Sequence, residues 1–385
     1  MPLPLTHLGD MPIEEFLRDY WQKKPLLIRN AFPDFESPLS PDELAGLALE
    51  EEVESRIILE KGKTPWELLN GPFDEDTFAK LPEKNWSLLV QAVDQYVPEV
   101  NEILDYFRFI PNWRLDDLMI SYAPDQGGVG PHFDYYDVFL LQGLGQRNWK
   151  IGQMCDNDSP RLDGTRLKIL SEFQTTDEWL LGPGDMLYIP PGIAHWGEAV
   201  GDECMTYSVG FRAPSHADIV AEVGQEIALD IVDDKRFSDP DLALQENPGE
   251  IGSKAIGQIR EILNEHFTDE RLAHWFGKYM TERKYLEQVD EAPEDIDADQ
   301  WQSALADGLI LWRHPAARVA FHTDASGDTL LFADGEALNC SRALAELICA
   351  EVEIEWDTVK PFLAEPFDVA ALSQLINQET LLVDE

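Results

Sequence analysis

The stretch GPGDMLYIPPGIAH, residues 182–195, decides the fold of the central part of this chain. Gly182-Pro183-Gly184-Asp185 is a tight-turn signal and Met186–Ile189 an apolar strand. Pro190-Pro191-Gly192 is a second turn that delivers His195 to the start of another strand. The same texture extends outward from Arg114 to Arg212. Short apolar runs at Leu118–Ser121, Val138–Gln142, Trp149–Ile151 and Tyr207–Phe211 are separated by Gly, Pro and Asp clusters such as Asp125-Gln126-Gly127-Gly128. Many short strands at this spacing predict an all-β sandwich or barrel, of which the jelly roll is one.

The flanks read differently. Ile13, Phe16, Leu17 and Tyr20-Trp21 recur at helical spacing, Lys23-Lys24-Pro25 ends that helix, and Leu26-Leu27-Ile28 follows as a strand. The apolar run around 85–95, from Trp86 to Val93, predicts a second helix. After Ala213-Pro214, Ile219, Val220, Val223, Ile227 and Ile231 mark an amphipathic helix. A polar link from Asp233 to Glu250 leads to a helical region from Ser253 to about Leu286. Glu287–Gln300 holds seven acids and one proline in 14 residues, the composition of a linker. Beyond Trp301 lies a compact α/β segment: a short helix, strands at Val319–His322 and Leu330–Phe332 around a turn at Asp324–Asp328, and helices near 341–350 and 368–377.

With 385 residues, 44% hydrophobic and 10% aromatic, the chain buries a sizeable core in two or three domains. No run approaches the ~18 apolar residues of a membrane span, and Met1–Asp10 has no signal-peptide pattern, so the expected compartment is the cytoplasm. Cys155, Cys204, Cys340 and Cys349 are widely spaced, which predicts free or buried thiols. Seventy-four acids against 29 bases give a net charge of −45. That sign excludes a large nucleic-acid footprint. It leaves two readings, a surface acidic for solubility or a field that draws in a basic protein.

The chemistry is concentrated in two places. In Gly130-Pro131-His132-Phe133-Asp134, H-x-D on an extended strand turns His132 and Asp134 to one face, where both reach a single metal. By itself this triplet is weak. The second place is His195, 63 residues downstream. Each histidine alone reads as a satisfied structural residue. Two histidines and one carboxylate on a β scaffold form a facial triad that suits non-haem Fe(II) and leaves three coordination positions open. Between them, Gln142-Gly143-Leu144-Gly145-Gln146-Arg147-Asn148-Trp149 carries a cation on a strand leaving the metal. Arg147 reads either as a surface salt bridge or as a bidentate anchor for a dicarboxylate co-substrate.

H-x-D, then Q-x-x-G-x-R-x-W, then P-G-D-x-x-Y-I-P-x-G-x-x-H resembles the core pattern of the JmjC-domain 2-oxoglutarate oxygenases. Phe16…Tyr20–Ile28 is similar to the segment that opens such domains. Asn112–Ser121, Gly128–His132 and Tyr207–Pro214 bring the resemblance closest to the bacterial ribosomal oxygenases, which hydroxylate an arginine of large-subunit ribosomal protein L-sixteen. It covers residues 10–215 strongly and the remainder by layout. It implies a mixed α/β chain: a double-stranded β-helix (jelly-roll, cupin-type) catalytic domain at 1–213, a helical dimerisation region at 214–290 and a winged-helix-like domain at 297–385. Fe(II) would be held by His132, Asp134 and His195, which are the catalytic residues. Arg147 would grip the distal carboxylate of 2-oxoglutarate, with Ser121 as a hydroxyl partner. Many JmjC relatives carry Lys at the Arg147 position, and Arg agrees with the ribosomal branch. Ser208, Tyr135, Tyr136, Asp116 and Asp117 are candidates for the substrate wall, where an aromatic face and carboxylates would meet a guanidinium. Ordinary strand packing accounts for them equally well.

The implied partners are a basic ribosomal protein and a second copy of the chain, with no nucleic acid and no membrane. Residues 301–385 hold 15 acids and four bases, a net of −11, the wrong electrostatics for a winged helix that binds DNA. Three rivals stand beside arginine hydroxylation. Histidine hydroxylation is one. N-methyl-lysine demethylation, which releases formaldehyde, is another. The third is a cupin-like binding protein without turnover, against which the open triad and Arg147 argue.

Overall fold

The computed structural model describes residues 3–232, 234–284 and 295–384, and the chain divides into two compact units that meet in sequence at Ala213 and Pro214. The expected acidic linker at 287–300 lies outside the described residues as far as 294.

The first unit begins with a small ribbon, β1 (His7–Leu8) and β2 (Met11–Pro12), and α1 (Ile13–Asp19). β3 (Leu26–Ile28), α2 (Pro41–Leu47), β4 (Ser55–Lys61), β5 (Pro65–Asn70), α3 (Glu75–Phe78), β6 (Trp86–Val90) and α4 (Pro98–Asp105) follow. β7 (Leu115–Ala123), β8 (Val138–Met154), β9 (Asp177–Leu181), β10 (Met186–Ile189) and β11 (Ile193–Phe211) complete it. All nine strands from β3 to β11 form one antiparallel sheet in the order β3-β10-β8-β11-β7-β6-β4-β5, with β9 paired to the far half of β8. The winding of this sheet about the long pair β8 and β11 is the cupin-type jelly roll.

Strand alternation sorts the side chains of that pair into two cores. Phe139, Leu141, Tyr207 and Val209 face one side, where Phe16 from α1 meets Tyr188 at 4.9 Å and Phe139 at 5.5 Å between ring centroids. Val138 and Leu140 face the other side with Trp149, Ile151, Leu181, Leu187 and Ile189. The pair bends where β11 carries extra residues between Val200 and Met205. Opposite them Gly145 takes φ +62°, and a Cβ there would lie 2.0 Å from the Glu203 carbonyl oxygen, so only glycine fits the bend.

The segment from 86 to 90 is a strand, not the helix its apolar run suggests. β6 sits between β4 and β7 and all five of its residues are buried, so no polar face breaks the run and periodicity has nothing to report.

In the second unit α5 (His216–Leu229) opens on a Ser215 capping box with Asp218. The helical region expected from Ser253 is two helices, α6 (Ser253–His266) and α7 (Asp269–Thr281). Phe267 leaves helical geometry at ψ 66° and Thr268 caps α7 through its side chain. α7 packs against α5 and also against the hairpin that follows, where Gly277 lets Phe332 lie directly on the helix backbone. The rest is α8 (Ala298–Ala306), β12 (Ile310–Arg313), β13 (Val319–Thr323), β14 (Thr329–Ala333), β15 (Glu336–Asn339), α9 (Arg342–Ala350), β16 (Glu353–Ile354), α10 (Trp356–Val359), α11 (Pro366–Asn377) and β17 (Leu381–Asp384). Two small antiparallel sheets and these helices share one core around Trp301, Leu331, Leu344 and Leu372. No helix among the described residues is long and apolar enough to cross a membrane, and all four cysteines are free thiols.

Candidate metal centre

The two halves of the motif are laced together by backbone. His132 N–H donates to the His195 carbonyl at 3.1 Å and His195 N–H to the His132 carbonyl at 2.8 Å. Gly192 N–H, from the Pro-Pro-Gly turn, donates to the Asp134 carbonyl at 2.7 Å. The turn chemistry of residues 190–192 therefore fixes where the downstream histidine stands relative to H-x-D.

The side chains converge accordingly. Ligand atoms of His132, Asp134 and His195 all lie within 4.8 Å of one another, the one such group of three among the described residues. Asp134 Oδ2 is 3.8 Å from His132 Nε2 and 3.6 Å from His195 Nε2. Both imidazoles are oriented from behind by a main-chain carbonyl two residues upstream. His132 Nδ1 meets Gly130 O at 2.9 Å, and His195 Nδ1 meets Ile193 O at 3.0 Å. A carbonyl only accepts, so each Nδ1 carries the proton and each Nε2 presents a lone pair toward Asp134. Burial, and then the neighbouring His132, depress the His195 pKa to about 4, so this imidazole is neutral at neutral pH, the state a metal requires.

Arg147 lies on the same inner face of the long pair. Its position is 2% exposed, and among the described residues it has no carboxylate partner. Nε donates to Cys204 Sγ at 3.4 Å, while Nη2 is buried with no acceptor. The surface salt-bridge reading of Arg147 is therefore excluded. An orphaned guanidinium nitrogen in a protein interior is what a missing carboxylate would leave behind. Beside it Gln142, fully buried, donates to the carbonyls of Leu144 (2.7 Å) and Met205 (3.1 Å) and accepts from Thr206 Oγ1 (3.1 Å). It ties down the bend from which Arg147 emerges. Ser121, 5% exposed, is paired with Thr206 across β7 and β11 on this same face.

The candidate substrate wall divides. Tyr136, 43% exposed, stands near Asp134, Asp117 and Asp116. The ring is part-exposed, but desolvation at its hydroxyl end, and then these carboxylates, raise the phenol above the ordinary range. Asp116 is engaged by Arg212 at 3.3 Å and Asp117 by Gln91 at 2.6 Å. Tyr135 turns elsewhere, donating to Asn157 Oδ1 at 2.6 Å and edging onto Phe133. Ser208 is buried in β11 opposite Leu140 and Met119.

One supporting network was not anticipated. Asp137, fully buried, accepts from Tyr188 Oη (2.6 Å), Gln22 Nε2 (2.9 Å) and Arg114 Nη2 (3.0 Å). Burial raises its pKa, and these three donors offset only part of that rise. The network anchors the segment that carries Asp134 and Tyr136 to the chain entering β3. Its sequence signal is faint: an acid three residues past H-x-D and a tyrosine inside an apolar strand.

Comparison with known proteins identifies the family. Residues 102–219 match the JmjC domain and residues 261–381 the ROXA-like winged helix. The ribosomal protein uL16 3-hydroxylase of Escherichia coli (strain K12) is 35% identical over 370 residues, covering 94% of this chain and 95% of that protein. A probable ribosomal oxygenase of Haemophilus influenzae is 40% identical over 234 residues, 60% of this chain and 55% of that protein. The solved structure of YcfD, a ribosomal oxygenase from Escherichia coli, in complex with cobalt and 2-oxoglutarate, superposes with a TM-score of 0.85. It is 32% identical and covers 98% of this chain and 100% of that one.

Proposed function

We infer the function from one premise: this chain belongs to the ribosomal oxygenases of the JmjC-domain family. It is an Fe(II)- and 2-oxoglutarate-dependent hydroxylase of a ribosomal protein. The observation that carries the reading in this chain is the pairing of an open His-Asp-His cluster with a buried arginine whose Nη2 has no acceptor.

The residues divide the work. His132, Asp134 and His195 would hold Fe(II) through two Nε2 lone pairs and one carboxylate, leaving three positions for co-substrate and O₂. Once bound, the iron and 2-oxoglutarate supply the oxidation, coupling decarboxylation to succinate and CO₂ with hydroxylation of a C–H bond. Gly130 O and Ile193 O keep the imidazoles in the ligating tautomer. Arg147 would grip the distal carboxylate, with Ser121 beside it, and Gln142 holds the bend that aims Arg147 inward. No general base is needed.

The substrate we assign is an arginine of the L-sixteen (uL16) ribosomal protein. Near Asp134, Tyr136 supplies an aromatic face and Asp117 negative charge for a guanidinium, while Asp116 is already paired with Arg212. The net charge of −45 attracts a basic ribosomal protein and disfavours direct nucleic-acid contact, as does the −11 of residues 301–385. The cytoplasm is where such a substrate is made. Incubating the protein with Fe(II), 2-oxoglutarate and separated large-subunit ribosomal proteins should add one oxygen to a single protein, read by intact mass and localised by fragmentation. Succinate without any mass gain would remove the ribosomal substrate, a gain on histidine would replace arginine, and formaldehyde would replace hydroxylation by demethylation.

The catalytic domain takes residues 1–213, and a winged-helix-like domain takes 297–385. The region 214–290 between them we assign to homodimerisation. α6 buries none of its side chains, and Ile256, Ile259, Ile262 and Leu263 form an exposed stripe at helical spacing. Placing aspartate at both Ile259 and Leu263 should turn a dimer into a monomer by light scattering at micromolar concentration. A monomeric unaltered protein would contradict the assignment.

A further inference from the structure

Along β8 the alternate residues Arg147, Trp149 and Ile151 stand opposite Ala199, Gly197 and His195 on β11. One strand face thus carries the candidate metal ligand, a tryptophan and the anchoring arginine in a row. Trp149 is the middle of that row. Its ring lies 6.0 Å from the His195 ring and 5.8 Å from Arg147 Cζ. The benzene edge of the indole is pressed onto β11: a Cβ on Gly197 would sit 2.8 Å from Cη2 and Cζ3. The pyrrole N–H belongs to the opposite edge, away from Gly197. There Nε1 is buried and has no acceptor.

A buried donor without an acceptor costs about 1–3 kcal/mol, and few native groups are left that way without a reason. Trp196 also has an orphaned indole nitrogen, but it follows His195 directly, so it points to the other face, under the Lys150 ammonium at 4.5 Å. Trp149 differs because a second orphaned donor, Arg147 Nη2, shares its strand face. Two unpaired N–H groups in line with a metal site fit one kind of ligand, an extended anion with carboxylates at its ends. The proposed function supplies such an anion and the inference rests on it.

We propose that the Trp149 indole N–H is a second protein donor to 2-oxoglutarate, hydrogen-bonding a carboxylate oxygen as the co-substrate runs along β8 from the metal to Arg147. The tryptophan is then a binding residue, and its identity, beyond its bulk, sets co-substrate affinity. Phenylalanine keeps a ring over Gly197 and lacks the donor.

The test uses the full chain loaded with Zn(II), which has no redox chemistry, so binding is seen without turnover. With ¹⁵N-labelled tryptophan, the Trp149 indole N–H is identified as the resonance missing from Trp149→Phe. On adding 2-oxoglutarate to the unaltered protein, that resonance should shift and its exchange with solvent should slow. By calorimetry Trp149→Phe should bind 2-oxoglutarate at least ~10-fold more weakly, the size of one hydrogen bond to a charged group, with Zn(II) affinity unchanged. A resonance that stays put, or a Trp149→Phe variant that binds 2-oxoglutarate like the unaltered protein, overturns the proposal. Arg147→Ala separates the two levels. If it weakens binding while Trp149→Phe does not, Trp149 alone loses its role. If neither does, the co-substrate reading of this face falls with it. Where Trp149→Phe folds poorly, through-bond assignment on the unaltered protein identifies the same resonance, and its shift still decides.

Discussion

His132→Ala should abolish turnover and metal loading together while leaving the fold in place. The loss follows from the ligand count. Two ligands cannot define the face that three do, and changes merely behind a metal ligand already cost 10- to 100-fold in affinity, so a first ligand should cost more than about 100-fold. The fold survives because the segment is held by main chain. His132 N–H and carbonyl both pair with His195, and alanine keeps both bonds. The His132 side chain is 24% exposed, which limits the packing it takes with it. Thermal unfolding reads both halves. Saturating metal should raise the Tm of the unaltered protein by mass action, about 2.7 kcal/mol at 100 times Kd, and should leave His132→Ala where it started. A variant that still gains stability from metal and still makes succinate would take His132 out of the ligand set.

That triad was legible because its information is local. H-x-D needs only extended backbone to aim two side chains together. The structure makes it no strand but a segment between β7 and β8, pinned to β11 by the His132–His195 bridge. Gly182–His195 spells its turns in glycine and proline. Arg147 was half legible: the motif placed it on a strand, but only the structure removed the salt-bridge alternative by burying it without a carboxylate. The β6 segment was misread because a strand covered on both faces looks like a buried helix. β8 looked like two strands because Gly143 and Gly145 interrupt its apolar runs, whereas they are the bend that lets one 17-residue strand continue. The Asp137 network was invisible for a different reason. Its partners Gln22, Tyr188 and Arg114 lie 115, 51 and 23 positions away in sequence, and no short-range pattern reports a contact of that kind.

Arg147→Ala should raise the 2-oxoglutarate requirement steeply while kcat at saturating co-substrate changes little. Removing one partner of a buried, hydrogen-bonded charge pair costs about 2–5 kcal/mol, which corresponds to a rise of roughly 30-fold or more in the concentration needed. The distal carboxylate keeps its contact throughout the reaction, so the lost energy belongs to uniform binding and appears in KM. Arg147→Lys keeps the charge and loses the fork, so it should fall between the two. The structure adds a sign that a purely structural arginine would not give. Without co-substrate the guanidinium is buried beside a cysteine sulfur and an indole ring, with Nη2 unpaired. A charge so placed pays its desolvation without a counter-charge. Arg147→Ala should therefore lose little stability in the absence of 2-oxoglutarate, and should lose the extra stability that 2-oxoglutarate confers on the metal-loaded protein. If the variant instead unfolds many degrees earlier with or without 2-oxoglutarate, and its co-substrate requirement is unchanged, Arg147 is part of the scaffold and the anchor must be sought elsewhere on the inner face.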